Sequence, residues 1–244
     1  MTGRHTPRVC ARPTVDDIDC ELRDGWFLAQ DVNAWTSLAY VAVGIAVVVV
    51  VVRSRLPRVF IALGAVLALE GVGSALYHGG SGDVAQLLHD VPLVGALGFI
   101  AGWHVSRLDH RHPGRGALVG LGCGLAGGLA ASAGGATNVA VAVLGMLVAA
   151  AELLARRRAR PAVWNAPLLT LGAVAAGTWL AGTSASPLCD EQAWLQPHGA
   201  WHVLSALVVL AWMGRALTAE SPERAPQLWS IVSVDGRARD DGAP

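Results

Sequence analysis

Long uninterrupted apolar runs constrain this chain more than any other feature. In hydrocarbon every backbone N–H and C=O must find its partner within the protein, so a segment that crosses a bilayer is a helix or part of a closed barrel. A helix crossing ~30 Å of hydrocarbon needs roughly 20 apolar residues. Seven such segments are read, at 34–52, 59–77, 84–105, 116–133, 139–155, 165–182 and 197–217. The fourth is rich in Gly and Ala, a composition suited to close helix packing in lipid. The sixth is the weakest, being short and opened by Pro167. The expected fold class is therefore all-α, a seven-transmembrane-helix bundle. Composition agrees: 15% of residues are charged, against about 25% in soluble domains, and mean hydropathy is +0.47. A net charge of zero leaves no basic footprint for nucleic acid.

The connections predict orientation. Arg53, Arg55 and Arg58 follow the first segment, Arg107, Arg111 and Arg115 the third, and Arg156, Arg157, Arg158 and Arg160 the fifth. The alternate connections, 78–83, 133–138 and 183–196, hold no arginine. Basic residues in short loops stay cytoplasmic. The N-terminus is therefore expected outside and the C-terminus inside, which requires an odd number of spans. Residues 1–33 then form a polar extracytoplasmic segment without the apolar core of a signal peptide, so the first helix directs insertion. Residues 34–217 form the membrane domain, and 218–244 a polar, disordered cytoplasmic tail.

Of the four cysteines, Cys123 lies in a Gly-rich apolar run and reads as a buried small side chain. Cys10, Cys20 and Cys189 share the extracytoplasmic compartment, where disulfides persist. A Cys20–Cys189 bridge would tie the N-terminal segment to the loop entering the last helix; the alternative is free thiols.

Ionisable side chains inside spans are functional hypotheses by default. Ser74 and His78 lie four apart at the end of the second segment, and His198 and His202 four apart at the start of the seventh. Residues four apart share one helical face. Asp90 lies about two turns into the third segment. With alternating helix directions these groups fall at one depth, near the outer leaflet. Three imidazoles from two helices can then converge with a carboxylate and a hydroxyl. Three His ligands with an open position form the arrangement of a catalytic zinc, which lowers the pKa of its bound water to about 7. A carboxylate beside it can act as general base and a hydroxyl can donate to an oxyanion. Each residue also has a plainer reading: an interfacial His, a Ser bonded to its own helix, an Asp that pairs an imidazole. Glu70, one turn below Ser74, and His89 remain open in role. His104, His110 and His112 fall at the arginine-bearing end and read as solvated. Trp35, Trp103, Trp164, Trp179, Trp194 and Trp212 read as interface anchors or packing residues.

Gly73-Ser74-x-x-x-His78, Gln86-Leu87-Leu88-x-Asp90 and His198-x-x-x-His202, with Trp201 before the last His, resemble the three signatures of the alkaline ceramidases. These belong to the CREST superfamily, which also holds the adiponectin and progestin receptors. Cys20-Glu21 followed by Ala29-Gln30-x-x-Asn33 resembles the family's N-terminal motif. The resemblance implies zinc on His78, His198 and His202, Asp90 as the base, Ser74 as a partner of the zinc site and oxyanion, and a Cys20–Cys189 disulfide. It implies hydrolysis of the amide of ceramide or a related N-acyl lipid that enters sideways from the bilayer. Together with the arginine pattern, which sets the site near the extracytoplasmic face, the expectation is a multi-pass protein of the bacterial plasma membrane. A calcium site is implied near the N-terminus, with Asp19 and Glu21 close to ligand positions. Here the chain departs from the pattern: Gln30 stands where an acidic residue is expected and Arg23 where a neutral oxygen ligand is expected. Asp24 or Asp31 would have to compensate, since calcium takes flexible oxygen sets.

The alternative within the superfamily is a receptor or sensor with a structural zinc site, but that branch keeps its N-terminus in the cytoplasm. A retinal protein needs a Schiff-base lysine, and this chain has none. A b-type haem on two of the histidines would leave the third, Asp90 and Ser74 without a role. A transporter would more often show internal repeats, and none is found.

Overall fold

The computed structural model describes residues 19–21, 28–54, 56–80, 82–109 and 112–220. Cys10, Arg23, Asp24, Arg55, His110, Arg111 and the tail beyond Glu220 lie outside the described residues. Seven α-helices follow in chain order: α1 (Asp31–Arg53), α2 (Val59–Gly80), α3 (Asp83–Ser106), α4 (Pro113–Ala133), α5 (Thr137–Arg157), α6 (Ala166–Ala181) and α7 (Pro197–Glu220). A single 3-10 turn, Arg107–Asp109, ends α3. The described residues are otherwise helix and loop, apart from one isolated bridge between Asp19 and Thr183.

Each helix falls within a few residues of a segment expected from hydropathy. Six are long and apolar enough to cross a membrane. The exception is α6, whose 16 residues reach about 24 Å at 1.5 Å per residue, short of the ~30 Å hydrocarbon core. Its start is nonetheless well made: Asn165 caps it by accepting from Leu168 N–H at 3.1 Å, and Pro167 stands in the first turn, where it forfeits no helical bond.

Helices that are apolar all round are joined less by hydrophobic burial than by close backbone approach. The α3–α4 contact illustrates this. Gly98 and Gly102 of α3 meet Gly116, Gly120 and Gly124 of α4, so that a methyl on Gly120 would fall on the Gly98 carbonyl and 2.9 Å from Gly102 Cα. In the α1–α2 contact, a methyl on Gly44 would lie 2.5 Å from Gly64 O. α3 is the hub, packing on α2, α4 and α5; α1 packs on α2 and α7, and α6 on α7. α5 and α6 share almost no contact, so the ring of helices parts between them.

The two ends of the bundle differ in chemistry. At the arginine-bearing end, Phe60, Phe99, Trp103 and Trp212 form an aromatic cluster with ring centres 5.0–6.4 Å apart. Beside it Glu152 of α5 is buried and accepts from Val163 N–H at 3.0 Å, Trp164 N–H at 3.3 Å and Arg156 Nε at 3.2 Å. Arg107 lies 3.6 Å from the same carboxylate and donates to Glu220 at 2.7 Å and to Pro161 O at 2.7 Å.

Two sequence expectations are corrected here. His104 is buried, not solvated: its Nε2 accepts from Trp212 Nε1–H at 2.9 Å, and its Nδ1 lies 3.4 Å from Glu152. Being at the polar end of a helix did not decide which face it occupies. Cys123 is exposed, not buried. It lines a groove of about 720 Å³ among α3, α4 and α5, because α4 buries only Ala117, Gly124 and Gly128.

Candidate metal centre

The opposite end gathers the polar residues. His78 comes from the last turn of α2, and His198 and His202 from the first two turns of α7. One ligand atom from each lies within 4.8 Å of the others. Ring centres are 4.7–5.2 Å apart, and all three side chains are buried.

The hydrogen bonds behind two of the rings, and a carboxylate behind the third, assign which nitrogen carries the proton. Gln30 donates its amide N–H to Glu21 O at 2.7 Å, which turns its oxygen toward His78 Nδ1, 2.7 Å away. An amide oxygen only accepts, so His78 Nδ1 is the protonated nitrogen. His202 Nδ1 lies 3.2 Å from Thr36 Oγ and 3.3 Å from Ser37 Oγ. Each hydroxyl has one hydrogen, and both donate it to α1 carbonyls: Thr36 to Val32 O and Ser37 to Asn33 O, each at 2.7 Å. Toward His202 they can only accept, so His202 Nδ1 is protonated too. His198 Nδ1 faces Asp19 Oδ1 at 3.2 Å, a charge-pair distance off the line of a hydrogen bond. The carboxylate favours the proton there as well. By this assignment all three rings carry their lone pair on Nε2. His202 Nε2 is buried without a protein partner among the described residues. A hydrogen bond on the far nitrogen that fixes the tautomer is the habit of metal-ligating histidine.

Local packing explains why these residues come together. Pro92 lacks the N–H that would bond the Leu88 carbonyl within α3. Gly73 of α2 packs on that carbonyl so closely that a methyl there would overlap it and lie 2.7 Å from His89 N. The close approach brings the start of α3 against the end of α2. Gly182 serves α7 in the same way, since a methyl on it would lie 2.7 Å from His198 Cβ.

Ser74 hydrogen-bonds Ser37 at 2.8 Å and so reaches His202 through Ser37. Asp90 is buried with both oxygens engaged: Oδ1 pairs with His89 Nδ1 at 2.8 Å, and Oδ2 accepts from Thr137 at 2.8 Å. His89 stacks on Tyr77 and its ring centre lies 6.1 Å from that of His78. Its Nε2 lies 3.8 Å from the buried carboxyl of Glu70. Asp90 is thus joined to the histidine cluster by way of His89, a residue whose role the sequence left open.

The N-terminal segment crosses this end. Cys20 and Cys189 form the disulfide, with Cα atoms 5.5 Å apart, and Cys20 N–H donates to Gly182 O at 2.8 Å. Glu21 accepts from Val32 N–H at 2.7 Å and Asn33 N–H at 2.8 Å, capping α1 in place of Gln30, whose side chain makes no cap. Burial pushes the Glu21 carboxyl above its ordinary value, against the pull of those two donors. Of the carboxylates expected near calcium, Asp19 faces imidazoles, Glu21 caps α1 and Asp31 opens α1. Gln30, Thr36 and Ser37 were missed as partners of the histidines. The one signal that pointed to Gln30 was its departure from the acidic motif. Compared with protein-family models, curated proteins and solved structures, the chain matches none.

Proposed function

We propose that this chain is a zinc-dependent membrane amidohydrolase, cleaving the amide of a ceramide-like lipid to a long-chain amine and a fatty acid. The observation that carries the reading is the convergence of His78, His198 and His202, one ligand atom of each within 4.8 Å of the others, with oxygen atoms set toward the Nδ1 side of all three rings. Three nitrogen donors is the ligand number of catalytic zinc sites, whereas structural sites take four protein ligands. Zinc held there would supply a Lewis acid and a water activated near neutral pH.

The remaining work falls to the chain's own residues. Asp90 Oδ1 accepts a hydrogen bond from His89 Nδ1–H, which leaves His89 Nε2 as the basic atom, turned toward Glu70. The general-base role expected of Asp90 is then exercised through His89, with Asp90 steadying the imidazolium as the proton arrives. Thr137 holds the second oxygen of Asp90, so the pair does not swing. Ser74 donates to Ser37 in the resting arrangement; a turn of its hydroxyl would offer that proton to an oxyanion. The parting of α5 from α6 offers a lipid a lateral way in. We take α6 as the seventh span, its shortness met by local thinning of the bilayer. The histidine end then faces the extracytoplasmic side.

The test is zinc content and turnover of a fluorescent ceramide by the purified protein in micelles. One zinc per chain is expected, with metal and turnover both lost in His202→Ala. Zinc without hydrolysis of any N-acyl lipid would move the chain to the sensor-like reading. Full zinc occupancy in both His202→Ala and His78→Ala would remove the site.

A further inference from the structure

Resting on the metal reading above, we infer that Asp19 is a positioning residue for two metal ligands, held in register by the Cys20–Cys189 disulfide. Its two oxygens divide between two rings: Oδ1 lies 3.2 Å from His198 Nδ1 and Oδ2 lies 3.5 Å from His78 Nδ1. His78 has Gln30 as a closer acceptor at 2.7 Å. His198 Nδ1 has no hydrogen-bond partner among the described residues, so Asp19 is what faces it. Three neutral imidazoles around a dication leave two positive charges in a buried site. Among the described residues, Asp19 is the carboxylate that ion pairs set against these ligands. It therefore supplies both an acceptor for His198 and part of the missing negative charge.

The residue belongs to no helix, so its position comes from its neighbours. Cys20 is tied covalently to Cys189 and by its N–H to Gly182 O. Thr183 pairs with Asp19 in the isolated bridge. Glu21 grips the first turn of α1 through two N–H groups and receives the Gln30 amide on its carbonyl. The strap thus joins α1 to the loop before α7 and lays one carboxylate across the histidines. Because binding linkage is reciprocal, whatever holds the strap down tightens the metal, and the metal tightens the strap.

The experiment measures the zinc dissociation constant of the full-length purified protein by competition with a chromogenic chelator, alongside thermal unfolding of the metal-free form. Asp19→Ala should weaken zinc by ~10–100-fold, the usual effect of losing an outer-shell partner, with metal-free unfolding unchanged. Asp19→Asn keeps an acceptor and loses the charge, and should fall between. The Cys20→Ser, Cys189→Ser double variant should also weaken zinc while keeping Asp19. Wild-type zinc affinity in Asp19→Ala would overturn the inference. So would a wild-type affinity that rises with added calcium and loses that dependence in Asp19→Asn, because Asp19 would then be acting through calcium. A wild-type chain that binds no zinc would instead overturn the metal reading on which this rests.

Discussion

At the scale of single residues, the pairing of Asp90 with His89 makes a prediction that neither residue makes alone. Asp90 is bonded to His89 at 2.8 Å, and the His89 ring centre lies 6.1 Å from that of His78. If the two act as one unit, Asp90→Asn and His89→Ala should each keep zinc and each lower turnover by ~10²–10⁴-fold. The double variant should be scarcely worse than either, as expected for groups that share one task. Kinetics of the four proteins, with zinc content measured in parallel, gives the answer. Multiplying effects would separate the roles, and loss of zinc from Asp90→Asn would make Asp90 a support of the metal. The sequence made Asp90 and the three histidines legible because ionisable residues in apolar runs are conspicuous. Gln30, Thr36 and Ser37 were not, since polar residues near the start of a span are ordinary. Their partners lie 48, 166 and 165 positions away, distances no local pattern spans.

At the scale of elements, helix existence was legible and helix facing was not. Hydropathy finds a span without saying which side of it meets protein, and the misread facings of His104 and Cys123 follow from that. In α4 the distinction can be tested. Gly120 sits against α3, whereas a methyl on Gly122 would meet nothing within 4 Å. Gly120→Leu should therefore lower stability by at least the ~1–3 kcal/mol of overpacking, and Gly122→Leu should leave the melting temperature in detergent nearly unchanged. Equal effects would mean that the glycine stripe does not set the α3–α4 distance. A second element-scale prediction concerns Glu152, which fixes the connection before α6 through Val163 and Trp164 N–H and faces Arg107 and His104. Glu152→Ala leaves a buried guanidinium without that partner. Arg107 keeps Glu220 at 2.7 Å, so the cost is that of the Val163 and Trp164 N–H groups left without their acceptor, about 1–3 kcal/mol, and should appear as a lowered melting temperature with the histidine cluster intact.

At the scale of the whole molecule, two independent features bear on orientation. Arg107, Arg158 and Arg215 bond backbone carbonyls at one end, binding the α3–α4 and α5–α6 connections and α7 into one basic face. Basic loops of this length are retained in the cytoplasm. The other end carries the Cys20–Cys189 disulfide, and such bonds persist in oxidising compartments. Retention of charge and persistence of a disulfide have unrelated causes, and both favour the proposal that the histidine end lies outside. In a background with Cys10→Ser and Cys123→Ser, an impermeant thiol reagent on intact cells should label Gly80→Cys. Arg157→Cys should label only after the membrane is opened. Both positions are exposed, so access to the side chain does not limit either reaction. Hydrolysis products should correspondingly appear first outside. Labelling of Arg157→Cys alone would turn the histidine cluster toward the cytoplasm. Thiol-reducing conditions there would oppose the disulfide, the strap that carries Asp19 would lose its anchor, and the chain would take the orientation of the receptor branch instead.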